Sequence, residues 1–205
     1  MKKTNLLILL AVGAMIFQFG CDSNLTTTGF LSDYSQLKSQ LNPALWYVKE
    51  DALTGYSGFI VDPVKVRLHK GAKAIKEQTK GNLTQLEIKL LTNYMHAKIV
   101  DAIQNSGKSV VEQPAAGVAR IRVAITDIEK STIASLFPQA RLAGFGLGGV
   151  SMEAEIIDSI TDQQIAVVIK AQKGSRIPFV NLGPWDAAKQ VIDDWAKRFQ
   201  KNLDG

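Results

Sequence analysis

The sequence predicts an α+β domain, an α/β sandwich in which two helices pack on one face of an antiparallel or mixed sheet. Residues 118–128 alternate apolar and polar side chains, the period of two that is typical of a half-buried strand. Two other segments, opening at Thr84 and at Pro184, repeat apolar residues at helical spacing. Because the strands predicted after residue 118 follow one another without a helix between them, antiparallel pairing is favoured. The predicted element order is β-α-β-β-β-α.

The first strand and the first helix are predicted between residues 56 and 103. Strand sequence over 56–68 is interrupted by Asp62 and Pro63, where proline favours a bend or a sheet edge. Thr84 and Glu87 then form a capping-box pattern that opens a helix through Ile103. The apolar side of this helix is predicted to consist of Leu86, Leu90, Leu91, Tyr94, Met95, Ile99 and Ile103.

The second half of the chain supplies the remaining strands and the last helix. A short strand is predicted at Val110 and Val111, and the strand over 118–128 is expected to have a wet face carrying Arg120, Arg122 and Thr126. Residues 150–157 and 164–171 predict a strand pair joined by a turn at 158–162. The helix that follows Pro184 is predicted to pack in the core through Trp185, Ala188, Val191, Ile192, Trp195 and Phe199.

The N-terminus is typical of an exported lipoprotein. Two lysines precede an apolar run over 6–17, which fits a signal peptide and is shorter than the roughly 18 to 20 residues of a membrane span. The run ends in Phe19-Gly20-Cys21, which resembles a lipobox although Gln18 and Phe19 depart from its usual residues. Cys21 is the single cysteine, so intramolecular disulfides and multi-cysteine metal sites are excluded. The alternative is a plain signal anchor with an incidental cysteine.

These features predict a signal peptide over 1–20, a lipidated tether with a short docking segment over 21–53, and a single α/β domain over 54–205. In the tether, Phe30, Leu31, Tyr34 and Leu37 form an apolar stripe that is expected to dock on the domain, and 45–47 is a second docking candidate. The expected location is the cell envelope of a Gram-negative bacterium, anchored by lipid and facing the periplasm. Asp22 is a candidate sorting residue, and the choice between inner and outer membrane stays open.

Composition argues against nucleic acid as a partner. Hydrophobic residues make up 46% of the chain and charged residues 21%, as in an ordinary globular protein. The formal charge of +5 includes Lys2 and Lys3 of the signal peptide, and the other basic residues are spread among acids. Such a surface lacks the basic patch of a nucleic-acid binder.

The run from Gly144 to Gly149 matches the G-x-G-x-x-G pattern of dinucleotide-binding folds. A strand and not a helix is predicted after it, so nucleotide binding is not expected. We interpret the run as a strand entry in which glycine permits close backbone approach, and as a candidate partner-contact loop consisting of Gly144, Phe145, Gly146, Leu147, Gly148 and Gly149.

Glu153 and Glu155 lie on one face of their predicted strand and could act as the acid and base of a hydrolase. Arg120 and Arg122 have the same spacing on another strand, so exposed cross-strand ion pairs are the favoured interpretation. Breaking such a pair would cost about 1 kcal/mol or less. His69 and His96 match no metal-ligand spacing, and no metal or other cofactor is expected. For Trp185, Trp195 and Phe199, core packing is favoured over a ligand cage.

Three segments resemble the bacterial lipoproteins grouped as domain of unknown function 3313 (DUF3313). They are Gly29–Ser35, the run 117–127 and the run 148–159. The segment around Glu153 and Glu155 is also similar to transporter-auxiliary lipoproteins and to the N-terminal domain of TolB. The resemblance implies a small α/β domain at the envelope and transfers no catalytic residue. The chain is therefore expected to be no enzyme but a membrane-tethered binding or accessory subunit of a transport or envelope-maintenance assembly, with protein partners; the alternative is an envelope hydrolase using Glu153 or Glu155.

Overall fold

The computed structural model describes residues 26–39, 44–48, 53–177 and 183–204. The predicted signal peptide, Cys21 and Asp22 lie outside these residues. The strands are β1 (Lys38–Ser39), β2 (Ala44–Val48), β3 (Gly58–Val61), β4 (Lys65–Val66), β5 (Ser109–Val110), β6 (Val118–Glu129), β7 (Gly149–Asp158) and β8 (Gln164–Lys173). The helices are α1 (Lys73–Thr79), α2 (Gln85–Asn105), α3 (Pro138–Leu142) and α4 (Asp186–Asp204).

All eight strands belong to one mixed sheet, which confirms the predicted fold class. Its order is β1-β2-β8-β7-β6-β3-β5, and β4 also pairs with β6. From β1 to β6 in this order every pair is antiparallel, whereas β3 and β4 run parallel to β6 and β5 runs parallel to β3. The bend predicted at Asp62 and Pro63 separates β3 from β4. It lets one stretch of chain pair twice with the long strand β6.

Helices α2 and α4 pack on the same face of the sheet and supply most of the helical side chains in the main core. The core face of α4 is the predicted one, and Trp195 is buried in it. For α2 the prediction was partly wrong, because Leu86 and Leu90 are exposed. They belong to the first turns of the helix and lie off the stripe of Ile88, Leu91 and Met95 that meets the sheet.

The opposite face of the sheet is covered by the N-terminal segment. Phe30 and Leu31 are buried against Ala124, Val167 and Ile169, with Tyr34 and Leu37 packed around them. The apolar stripe therefore docks as its spacing predicted. The expectation of a wet face on β6 was wrong here, because this segment shields it. Residues 45–47, the second docking candidate, form part of strand β2 beside β8.

Several short elements were not predicted. They are strands β1 and β2 in the segment expected to be a tether, helix α1, a 3-10 helix over Ile133–Leu136, and helix α3. The 3-10 helix and α3 lie in a connection over 130–148, which leaves the end of β6 and returns to the start of β7. Among the described residues, no helix is both long enough and apolar enough to cross a membrane.

Candidate functional site

Glu153 and Glu155 lie at the centre of the sheet and are closed off from solvent. Their exposed fractions are 0% and 1%. Both side chains point to the face that the N-terminal segment covers, since they alternate with Met152, Ala154 and Ile156 along β7. The expectation of an exposed acid pair was therefore wrong. The alternation indicated the face correctly, and the covering segment decides the burial.

Glu155 is paired with Arg122, as the ladder interpretation predicted. The two residues are register partners on β7 and β6, and Arg122 Nη1 lies 2.6 Å from Glu155 Oε1. The second oxygen, Oε2, accepts hydrogen bonds from the Ser32 amide (2.9 Å), the Ser32 hydroxyl (2.7 Å) and Gln164 Nε2 (2.9 Å). Every oxygen of this buried carboxylate is thus satisfied.

Glu153 has no arginine partner, and the other half of the predicted ladder is not formed. Arg120 instead donates to Asp62 at 2.6 Å. Glu153 accepts from the Thr28 amide (2.6 Å), the Thr28 hydroxyl (3.0 Å) and the Tyr34 hydroxyl (2.7 Å). Burial and the bond to Glu153 raise the pKa of Tyr34 above its usual value, so the phenol stays a donor at neutral pH.

We call this arrangement the carboxylate clasp: Thr28, Ser32 and Tyr34 of the N-terminal segment bound to Glu153 and Glu155. Phe30 completes it by packing against Arg122, whose guanidinium carbon lies 5.3 Å from the centre of the ring. General acid or base catalysis requires a carboxyl group within reach of a substrate proton. Because both carboxylates bind donors of the same chain under a cover of side chains, the clasp is built to hold the N-terminal segment on the sheet.

The candidate partner-contact loop, Gly144–Gly149, leads directly into β7 and is not followed by a helix. The order of elements thus agrees with the sequence argument against nucleotide binding. The predicted close approach is present at Gly148, where a Cβ would lie 2.8 Å from the Ser131 nitrogen and φ is +68°. The backbone is therefore held tightly against the start of the same connection, while the side chain of Phe145 is 66% exposed.

Phe145 is one of several exposed apolar side chains that lie close together. Their exposed fractions run from 47% to 74%, and we call them the apolar surface: Ile133, Leu136, Phe137, Leu142, Phe145 and Ile177. Arg141 lies beneath them, only 1% exposed, and donates to the carbonyl oxygens of Ile177 (2.7 Å) and Ser135 (3.3 Å). The surface is thus presented by a connection whose backbone is fixed from below.

Sequence reasoning singled out Phe145 but missed the rest of the apolar surface and the buried Arg141. One signal was present. From Lys130 to Met152 the chain contains no Asp or Glu, although several large apolar residues occur there without the periodicity of a buried helix or strand. An apolar stretch of that kind is typical of a surface that meets a partner.

A match to a family model covers residues 26–199, under the description "Protein of unknown function (DUF3313)". The chain belongs to the DUF3313 family. None of the curated proteins compared with it matches.

Solved structures similar to this DUF3313 chain include two described as a PelC dodecamer and as a minor lipoprotein. PelC from Paraburkholderia phytofirmans is 8% identical with a TM-score of 0.43, and the match covers 74% of this chain and 93% of PelC. The minor lipoprotein of Acinetobacter baumannii is 12% identical with a TM-score of 0.38, covering 73% of this chain and 93% of the other. Likeness at this level says nothing about what this chain binds.

The clasp brings together the three segments that carry the DUF3313 resemblance. Ser32 and Tyr34 come from the first, Arg122 from the second, and Glu153 and Glu155 from the third.

The last residues of the third segment stabilise the turn that follows β7. Asp158 caps the β7–β8 turn by accepting from the Thr161 and Ile160 amides and from the Tyr56 hydroxyl, and these bonds lower its pKa to about 2.

The remaining candidates take part in packing. Trp195 Nε1 donates to Gln172 at 3.0 Å, and Trp185 Nε1 donates to Glu87 at 3.1 Å, so these two indoles are bound within the domain and not arranged as a cage. His96 Nε2 lies 3.3 Å from the carbonyl oxygen of Val61, and His69 Nδ1 accepts from the Gly71 amide at 3.1 Å. Within the described ranges, no group of three potential metal-ligating residues is found.

Proposed function

We propose that this DUF3313 protein is an envelope lipoprotein, anchored through an acylated Cys21 and facing the periplasm of a Gram-negative bacterium. In this proposal it acts by binding and not by catalysis, as an accessory subunit of a transport or envelope-maintenance assembly. The sequence support for the anchor is the signal-peptide pattern that ends at the single cysteine. More than one acyl chain on that cysteine makes the attachment stable, because a single chain binds a membrane only marginally.

The observation that carries a binding role is the apolar surface. Large apolar side chains this exposed, close together and fixed by a buried arginine, are typical of a contact site. The partner-contact loop contributes Phe145 to it. The hydrolase alternative requires a carboxylate that a substrate can reach, whereas Glu153 and Glu155 are buried and bound in the clasp.

The clasp supports a close attachment of the domain to its anchor. Its first residue, Thr28, follows Cys21 by seven residues. Even fully extended, that stretch spans only about 25 Å. An accessory subunit held this way would meet its partners within a thin layer above the membrane.

Crosslinking in intact cells tests the proposal. We expect the wild-type chain to be recovered covalently linked to another envelope protein, identified by mass spectrometry. The matched control is Cys21→Ala, which should lose lipid labelling, globomycin-sensitive processing and the crosslinked partner together. Recovery of the anchored wild type as monomer alone would contradict an accessory role.

A further inference from the structure

The exposed apolar side chains are concentrated at one end of the molecule. Eleven large ones are exposed among the described residues, and all but Val110 and Ile160 lie towards the end of the sheet where β6 finishes and β7 begins. Leu86 of α2 lies nearby, since Glu87 binds Lys130 at 3.2 Å. The opposite end carries the β7–β8 turn with Ile160.

The N-terminal chain runs towards the same end. Ser32 binds Glu155, and Thr28 binds Glu153, which is two residues closer to the start of β7. Followed back from Ser32 to Thr28, the chain therefore advances along β7 towards Gly149 and the apolar surface. The path to Cys21 continues from the residue that is nearest to that end.

The length of that path is sufficient to bring the lipid level with the apolar surface. Glu153 lies four residues from the first residue of β7, a distance of about 13 Å along the strand. The seven residues from Thr28 to Cys21 can span about 25 Å. At full extension, Cys21 can thus reach the end of the sheet and about 10 Å beyond it.

The charges at this end suit a bilayer. No carboxylate occurs between Lys130 and Met152, and the exposed Arg176 lies beside Gly144 of the connection, while Glu129 at this end is paired with Lys73 (2.7 Å) and Lys173 (4.0 Å). Apolar and aromatic side chains bordered by basic residues are the composition of surfaces that lie in the membrane interface next to anionic headgroups.

We propose that the apolar surface docks onto the same bilayer that holds the lipid of Cys21, so that the domain has two membrane contacts and one fixed orientation. This rests on the proposed function, of which it keeps the anchor at Cys21, and it assigns the apolar surface to the membrane, which leaves the other surfaces of the domain for protein partners. The acyl chains supply the affinity, and the apolar surface, brought close by a short connection, supplies the orientation.

Site-specific fluorescence on the full processed lipoprotein tests this. Because the sulfur of Cys21 carries the lipid, Leu142→Cys or Phe145→Cys introduces a single free thiol, which is labelled with an NBD fluorophore. The protein is reconstituted in phosphatidylethanolamine–phosphatidylglycerol vesicles with and without nitroxide-bearing lipids. Ile160→Cys is the matched control, an exposed isoleucine at the opposite end.

We expect blue-shifted NBD emission and several-fold stronger quenching by nitroxide lipid at positions 142 and 145 than at 160. Equal, weak quenching at all three positions overturns membrane docking. A blue shift at 142 and 145 without lipid quenching also overturns it and assigns the surface to a protein contact. Lipid labelling of each variant separates the two proposals: a chain without lipid contradicts the anchor, whereas an anchored chain with an unquenched apolar surface contradicts only the docking.

Discussion

Single residues of the clasp are expected to contribute more to the free energy of unfolding than charged residues on the surface do. A buried carboxylate is unfavourable unless nearly all of its hydrogen-bonding capacity is used. Glu153 receives three hydrogen bonds from Thr28 and Tyr34, and Glu155 receives bonds from Ser32, Gln164 and Arg122. The donors are half-buried, apart from the exposed Ser32, so the loss of one carboxylate leaves them without an acceptor in a site that is only partly open to water.

The clasp gives a stability prediction at the level of one residue. Glu155→Gln keeps the shape of the side chain but removes the charge that Arg122 and Ser32 bind, so we expect unfolding to become easier by about 2 kcal/mol. Asp62→Asn is the matched control, because the Arg120–Asp62 pair has the same 2.6 Å separation but is partly exposed. It should cost less than about 1 kcal/mol. Urea unfolding followed by tryptophan fluorescence measures both, and equal costs would show that the clasp stabilises the fold no more than a partly exposed ion pair does.

The sequence indicated which residues share a face of β7 but not that they are buried. A period of two is a local property, and it correctly set Glu153 and Glu155 opposite to Met152 and Ile156. Their cover comes from Thr28 and Ser32, more than a hundred positions away along the chain. Such contacts depend on tertiary packing that no local pattern contains. For this reason Glu153 and Glu155, which were expected on the surface, are instead buried inside the clasp.

At the scale of elements, the carboxylate of Glu87 joins helix α2, the 130–148 connection and the start of α4. Glu87 completes the capping box at the start of α2 by accepting from the Thr84 amide at 2.8 Å. It also accepts from Lys130 in the 130–148 connection and from Trp185 just before α4. The Thr84 amide, and then Lys130, hold the pKa of Glu87 at about 2, below its usual 4.5.

This lowered pKa predicts a pH-dependent effect of Glu87→Gln. Since the carboxylate has the lower pKa in the folded state, its contribution is fully present above pH 4.5 and is lost as the pH falls towards about 2. We therefore expect the destabilisation by Glu87→Gln to be largest at neutral pH and to shrink between these two values. Urea unfolding at a series of pH values measures it, with Glu112→Gln, an exposed glutamate between β5 and β6, as control. A pH-independent difference would mean that the charge of Glu87 has no part in joining the elements.

The long elements were predictable, and the short ones were not. Helix α2 and strands β6, β7 and β8 begin and end within two residues of their predicted positions, because each repeats its pattern several times. Helix α3 has five residues and α1 has seven, too few to show a helical stripe. The face of α2 was misjudged at Leu86 and Leu90 for a different reason. Their spacing is helical, but they lie off the stripe of Ile88 and Leu91 that the core covers in the same turns.

At the scale of the whole molecule, the fold has two unlike ends. One carries the apolar surface and is the end towards which the described chain runs from Ser32 back to Thr28, while the other carries the β7–β8 turn and the end of α4. This asymmetry could not be read from the sequence, since Ile133, Phe145 and Ile177 meet only after β6, β7 and β8 have paired. The position of a docked domain therefore depends on which membrane holds the anchor, because the domain would project from that membrane only.

Asp22, which follows the proposed lipidation site, is the candidate signal for the choice between the inner and the outer membrane. Asp22 occupies the position at which enteric bacteria read aspartate as a signal to retain a lipoprotein in the inner membrane. In an enteric host we expect the wild-type protein in the inner membrane and Asp22→Ser in the outer membrane, because the sorting machinery extracts the variant. Density-gradient separation of the two membranes, with Cys21→Ala as the unlipidated control, measures the distribution. Wild type found already in the outer membrane would show that Asp22 is only the first polar residue of the connection between the lipid and the clasp.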